Sequence, residues 1–179
     1  MNSAKVRTMH ESDYSCLPEF LYQAIFIPVG VEPPPRSIIN EPEIFVYIKE
    51  FGTQAGDLGV VAEQNGQIIG AAWTRIILPI RKWSAYGHID AETPELAISI
   101  LPEFRGNGTG TKLMKRLFDI LILNGYKRTS LSVQKNNPAL QLYQRMGYKI
   151  TDEKLDQAGH EDYIMVKELL LEFDRSGVN

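Results

Sequence analysis

The sequence predicts a mixed α/β domain, and three observations carry the prediction. Asn65-Gly66 stands between two β-rich runs, Gly59 to Glu63 and Gln67 to Leu78, and Asn-Gly in that setting calls for a type I′ hairpin. A β-like run, Glu95 to Leu101, is joined through Arg105-Gly106-Asn107-Gly108-Thr109-Gly110 to a helical stretch. Thr129, Leu131 and Val133 then alternate with Arg128, Ser130 and Ser132, the two-residue period of a strand, and Asn137-Pro138 opens a second helix behind it. A hairpin followed by two strand-helix units is the pattern of an α/β layer fold.

The elements follow in order. Lys5 to Met9 reads as a short first strand, and Glu11-Ser12-Asp13 offers helix-capping side chains before a helix over Tyr14 to Phe26, with Pro18 early enough to be tolerated. Ile27 to Arg36 contains Pro28, Pro33, Pro34 and Pro35; with φ fixed and donors removed it forms a loop. Glu41-Pro42-Glu43 starts the next helix, expected to run to about Phe51, since Pro42 sits where a missing N–H does no harm. After the hairpin, Pro79 to Thr93 has no sustained period and reads as a long loop. In the helix after the glycine loop, Leu113, Met114, Leu117, Phe118, Ile120 and Leu121 make an apolar face opposite Lys112, Lys115, Arg116 and Asp119, and Asn124-Gly125 closes it. The second helix carries Ala139, Leu142, Tyr143 and Met146 on one side and ends at Gly147. Tyr148 to Thr151 and Tyr163 to Leu170 are the last strands, joined through Gly159-His160.

Composition narrows the function class. The 179 residues, 44% hydrophobic and 23% charged, suffice for one domain with a sizeable core over residues 1–179. No segment is long and apolar enough to span a bilayer, and no apolar run follows the first charges, so a cytoplasmic protein is expected. The single Cys16 excludes an internal disulfide and reads as a small buried hydrophobe or, alternatively, a nucleophile; His10, His88 and His160 are too scattered to predict a metal site. A net charge of −3 gives no general reason to expect nucleic acid or an anionic membrane as partner. From Arg105 to Arg128, however, six basic residues face only Asp119, either as a solvated helix face or as a field for phosphates.

Glycines between a strand and a helix leave backbone N–H groups free to converge on phosphate oxygens, and the helix dipole adds to the attraction. The spacing excludes the commonest phosphate loops. A nucleotide P-loop starting at Gly106 requires glycine at Thr111 and Ser or Thr at Leu113, and a dinucleotide fingerprint also requires glycine at Thr111. What does match is Arg/Gln-x-x-Gly-x-Gly/Ala. With the entry Ile100-Leu101-Pro102-Glu103-Phe104, and with Asn136, Ala139, Tyr143, Gly147 and Tyr148 downstream at matching intervals, residues 95 to 150 resemble the acetyl-CoA site of the GNAT acetyltransferases.

The resemblance implies a mixed, mostly antiparallel sheet with helices on both faces and a splayed central strand pair. It implies acetyl-CoA as co-substrate, its pyrophosphate on Arg105, Gly106, Asn107, Gly108, Thr109 and Gly110, its pantetheine arm paired with Ile98, Ser99 and Ile100, and contacts from Asn136, Ala139 and Tyr143. An N–H near Ile98 would steady the thioester oxygen, Tyr143 would protonate the leaving thiolate, and the reaction would be acetyl transfer to the amine of a small molecule or peptide. The residues leave alternatives open. Tyr143 can be a core residue, Asn136 can cap its helix, and the glycine loop can be a packing turn. The proton acceptor is expected to be Glu95, with Glu92, Asp90, His88 or water as alternatives. Loop 27–36 can wall the acceptor or merely cover the core; Tyr22, Phe26, Phe45, Trp73, Trp83 and Tyr86 can line an acceptor pocket or belong to the core. A catalytically silent acetyl-CoA-binding regulator of the same fold is the alternative, with the intact Tyr143 weighing against it, and a homodimer is plausible by analogy with many members of the family.

Overall fold

The structure, a computed structural model, describes residues 4–78, 86–155 and 159–169. Seven strands form one sheet in the order β1-β2-β3-β4-β5-β7-β6. They are β1 (Lys5–Thr8), β2 (Leu58–Gln64), β3 (Gln67–Arg75), β4 (Glu95–Ile100), β5 (Arg128–Gln134), β6 (Lys149–Leu155) and β7 (Glu161–Glu168). Every neighbouring pair is antiparallel except β4 and β5. The helices are α1 (Leu17–Ala24), α2 (Pro42–Phe45), α3 (Thr109–Leu123) and α4 (Ala139–Arg145), with shorter 3-10 turns at Glu11–Cys16, Arg36–Asn40 and Pro102–Phe104.

The alternating side chains of the strands build two cores. Val60, Ala62, Ala72, Leu96 and Leu131 point to one face, where they meet Leu113, Met114, Leu117 and Leu121 of α3 and the half-buried Leu142 and Tyr143 of α4. Val61, Ala71 and Trp73 point to the other face and pack on Leu17, Phe20 and Leu21 of α1 and on Ile48 and Phe51. Asn65 and Gly66 have φ of +52° and +77°, as the hairpin between β2 and β3 requires.

The helix expected over Tyr14 to Phe26 is shorter, Leu17–Ala24 behind the 3-10 turn Glu11–Cys16, and the strand expected to reach Leu78 ends at Arg75; two further boundaries move more. The helix expected to run from Glu41 to Phe51 stops at Phe45, and hydrogen-bonded turns continue to Phe51. The carbonyls of Val46, Lys49 and Glu50 are taken by the Arg75 guanidinium, so the helical ladder does not extend. The strand expected over Tyr148 to Thr151 is longer, Lys149–Leu155; it is an exposed edge strand, where Asp152, Glu153 and Lys154 can face water without cost.

Candidate active site

β4 and β5 meet only at their starts, where Glu95 pairs with Ser130. Beyond that pair they separate, which opens the sheet along one edge of β4. The Ser130 N–H bonds the Pro94 carbonyl at 3.0 Å and the Leu101 N–H bonds Ile69 of β3 at 2.9 Å. With the two-residue period of a strand, the amides of Ile98 and Ile100, beyond the Glu95–Ser130 pair, therefore point into the opening. The Ile100 carbonyl is taken by Arg105 Nε at 2.8 Å, which leaves the Ile98 amide the best placed to receive an extended ligand.

The opening is the floor of a cleft of about 1070 Å³, lined by Ile98, Ser99 and Ile100, by Arg105, Gly106, Gly108, Thr109 and Gly110, and by Asn136, Ala139 and Tyr143. Residues far apart in sequence and singled out there thus share one wall. Gly106 and Gly108 have φ of +77° and +75°, and a Cβ at either would meet no atom within 4 Å; their backbone faces open space at the N-terminus of α3. Ser99 Oγ donates to the Phe20 carbonyl at 2.6 Å and ties α1 to β4. Asn137 Oδ1 accepts the Ala139 N–H at 2.9 Å, so the turn into α4 is closed by Asn137 and the neighbouring Asn136 stays exposed on the cleft.

Tyr143 is half-buried, its ring edge-on to Tyr148 at 6.1 Å, and burial pushes its hydroxyl up to about 12. Glu95 lies at the apex of the splay, 3% exposed. Its Oε1 accepts the Tyr47 hydroxyl at 2.5 Å and the Gly87 N–H at 2.8 Å, while its Oε2 is buried without a partner among the described residues. Burial pushes the carboxyl up to about 7, against the pull of these two donors.

The alternatives sort by surroundings. Asp90 accepts bonds from Thr93 Oγ1, the Glu92 N–H and Arg128, and these donors hold its carboxyl below the usual range. Glu92 is exposed and His88 half-buried. Burial pushes the Cys16 thiol up to about 11, which suppresses the thiolate. Of the aromatic candidates for an acceptor wall, Tyr22 and Phe26 line the cleft, whereas Trp73 is 1% exposed and donates its indole N–H to the Tyr47 carbonyl at 3.0 Å, so it belongs to the core. Phe45 is exposed and Tyr86 half-buried; Arg81 and Trp83 lie outside the described residues. Segment 25–29 borders the cleft, and its continuation is pinned by the Tyr22 hydroxyl to the Pro34 carbonyl at 2.8 Å and by Arg36 stacked on the Tyr22 ring at 4.6 Å. Two features escaped the sequence reading. Tyr47 meets Glu95 from 48 positions away, with no local pattern to announce it, and Arg145 adds a cation to the cleft wall.

Among the described residues, no group of three or more His, Cys, Asp or Glu could hold a metal ion, and no helix is long and apolar enough to cross a membrane.

Comparison with known proteins agrees with this geometry. The model of the acetyltransferase (GNAT) family matches residues 23–148. An acetyltransferase of Pectobacterium atrosepticum is 30% identical over 115 residues, which cover 63% of this chain and 71% of that protein. The mycothiol acetyltransferase of Acidimicrobium ferrooxidans is 34% identical over 95 residues, 52% of this chain and 28% of that longer one. The solved structure of yncA from Salmonella typhimurium with acetyl-CoA superposes with a TM-score of 0.66 at 18% identity, over 95% of this chain and 96% of that one. The chain belongs to the GNAT family of acetyltransferases. The open β4 edge and the uncovered glycine loop fit the acetyl-CoA with which yncA was solved.

Proposed function

We propose that residues 1–179 act as one cytoplasmic domain that transfers acetyl from acetyl-CoA to the amine of a small molecule or peptide by direct attack in a ternary complex. The observation that carries this reading is the splay of β4 from β5 with Tyr143 on the wall of the resulting cleft.

Acetyl-CoA supplies a thioester already activated for attack. The backbone of Gly106 to Gly110 at the start of α3 binds its phosphates, with Arg105 and Arg145 adding positive charge at the cleft wall. The open amide edge of β4 orients the pantetheine arm beside Asn136 and Ala139. The Ile98 N–H is directed into the gap, where it can stabilise charge building on the carbonyl oxygen. Tyr143, protonated throughout the neutral range because of its raised hydroxyl pKa, gives its proton to the departing sulfur. Glu95, set back from the cleft surface, takes a proton from the amine through a bridging water; its free, buried Oε2 is where such a water would bind. Tyr22, Phe26 and segment 25–29 wall the acceptor side.

The test is release of free CoA thiol on mixing the protein and acetyl-CoA with polyamines, aminoglycosides, amino acids, peptide N-termini and lysine peptides. Release with one class of amine identifies the acceptor, and Tyr143→Phe is expected to lower kcat about 10²-fold or more with acetyl-CoA binding retained. Thermal stabilisation by acetyl-CoA without thiol release from any amine would instead support a silent regulator of the same fold.

A further inference from the structure

The two oxygens of the Glu95 carboxyl are unlike. Oε1 receives two donors, the Tyr47 hydroxyl at 2.5 Å and the Gly87 N–H at 2.8 Å. Oε2 receives none among the described residues. An oxygen already accepting two hydrogen bonds is a poor place for a further proton, so protonation is directed to Oε2.

Tyr47 is fixed from behind. Its own carbonyl accepts the Trp73 indole N–H at 3.0 Å, and the flanking carbonyls of Val46, Lys49 and Glu50 are gathered by the Arg75 guanidinium. Glu50 holds a left-handed φ of +51°, and the Arg75 bond to its carbonyl helps to secure that turn. Arg75 is clamped by Asp57 and is the β3 register partner of Glu95 itself. One network therefore runs from Asp57 through Arg75 and the turn at 46–50 to the tyrosine that touches the carboxylate.

We infer that Tyr47 is a positioning residue for the transfer reaction: its hydroxyl, held in place by the Asp57–Arg75 network, favours the carboxylate form of Glu95 and turns Oε2 toward the acceptor's proton. This rests on Glu95 as the proton acceptor. The other groups around the carboxyl are Tyr86 and Gly87 before β4, Arg75 on β3, Ser130 on β5 and Lys154 on β6. Arg75 is committed to Asp57, and Lys154 favours the carboxylate from a distance, which leaves the Tyr47 hydroxyl as the side-chain donor in direct contact.

The experiment compares Tyr47→Phe with the native protein by two readouts. A ¹³C titration follows the Glu95 carboxyl, assigned by its loss in Glu95→Gln, and the pH profile of kcat/KM follows turnover. Loss of a donor to the charged form raises a carboxyl pKa, so both the titration midpoint and the acidic limb should move up together by about one unit. The KM for acetyl-CoA should not change, and activity should recover at high pH. An unmoved midpoint, or an equal loss of activity at every pH, would overturn the assignment. A midpoint that rises while the acidic limb stays in place would overturn Glu95 as proton acceptor and leave Tyr47 a structural contact.

Discussion

Arg75 grips Asp57 at two points, Nε to Oδ1 at 2.7 Å and Nη2 to Oδ2 at 2.8 Å, and both side chains are almost wholly removed from solvent. Asp57 also accepts the N–H groups of Gly52 and Gln54, so every oxygen of the pair is used. Removing one partner of such a pair strands a buried charge, which typically costs about 3–5 kcal/mol. Asp57→Ala is therefore expected to lower unfolding free energy by about that amount in urea titration and to loosen the 46–50 turn. A loss below about 1 kcal/mol would mean that water replaces the carboxylate.

Glu95 makes stability fall with rising pH. Its carboxyl is raised from the ordinary 4.5 to about 7, chiefly by burial. Between those values the folded protein holds a proton that the unfolded chain has released, so unfolding free energy decreases as pH rises through that window. At 1.36 kcal/mol per pKa unit the loss is about 3 kcal/mol. Glu95→Gln is expected to abolish this component, matching the native protein near pH 4 and exceeding it by about 3 kcal/mol at pH 8 in urea titrations. Parallel pH dependence in the two proteins would show that the native carboxylate is solvated.

Gly87 approaches the same carboxyl too closely for a side chain. A Cβ there would lie 2.7 Å from Glu95 Oε1 and 2.9 Å from the Leu131 backbone carbonyl carbon, and backbone on one side leaves the carboxylate to move. Gly87→Ala is expected to reduce stability by about 1–3 kcal/mol and kcat by at least about tenfold, with the KM for acetyl-CoA unchanged. Loss of acetyl-CoA binding instead would place the disturbance in the cofactor cleft.

Much of the fold was legible because its signals are local. Asn65-Gly66 specifies its own hairpin, and the apolar face of Leu113, Leu117 and Leu121 specifies α3. The lining of the cleft was legible in part because the segments Arg105 to Gly110 and Asn136 to Tyr143 carry fixed spacings, and the fold brings both to the same cleft. The polar network was not. Asp57 and Arg75 meet where β2 and β3 pair, just beyond Leu58 and Thr74, and Tyr47 meets Glu95 only after β4 has paired with β3; nothing within a turn or two of any of them marks the partner. The overlong expectation for the helix after Glu41 has the same origin, since Arg75, supplied by β3, captures the carbonyls that local propensity assigns to the helix. Trp73 illustrates the limit for aromatic residues: a strand position fixes which face it occupies, but whether that face is pocket or core depends on α1.

The glycine loop separates a phosphate site from a packing turn by where a methyl group would go. At Gly108 a Cβ meets nothing within 4 Å, so alanine creates no clash in the protein itself; the folded state loses only about 1–2 kcal/mol for placing an L-residue at φ +75°. The methyl would instead occupy the open side of the loop, where the proposed phosphate site lies. Gly108→Ala is expected to weaken acetyl-CoA binding by at least about tenfold in calorimetry, while a stability loss of that modest size leaves the fold intact at 25 °C. A loop that served only the packing of α3 against the sheet would show the same stability loss with acetyl-CoA affinity unchanged.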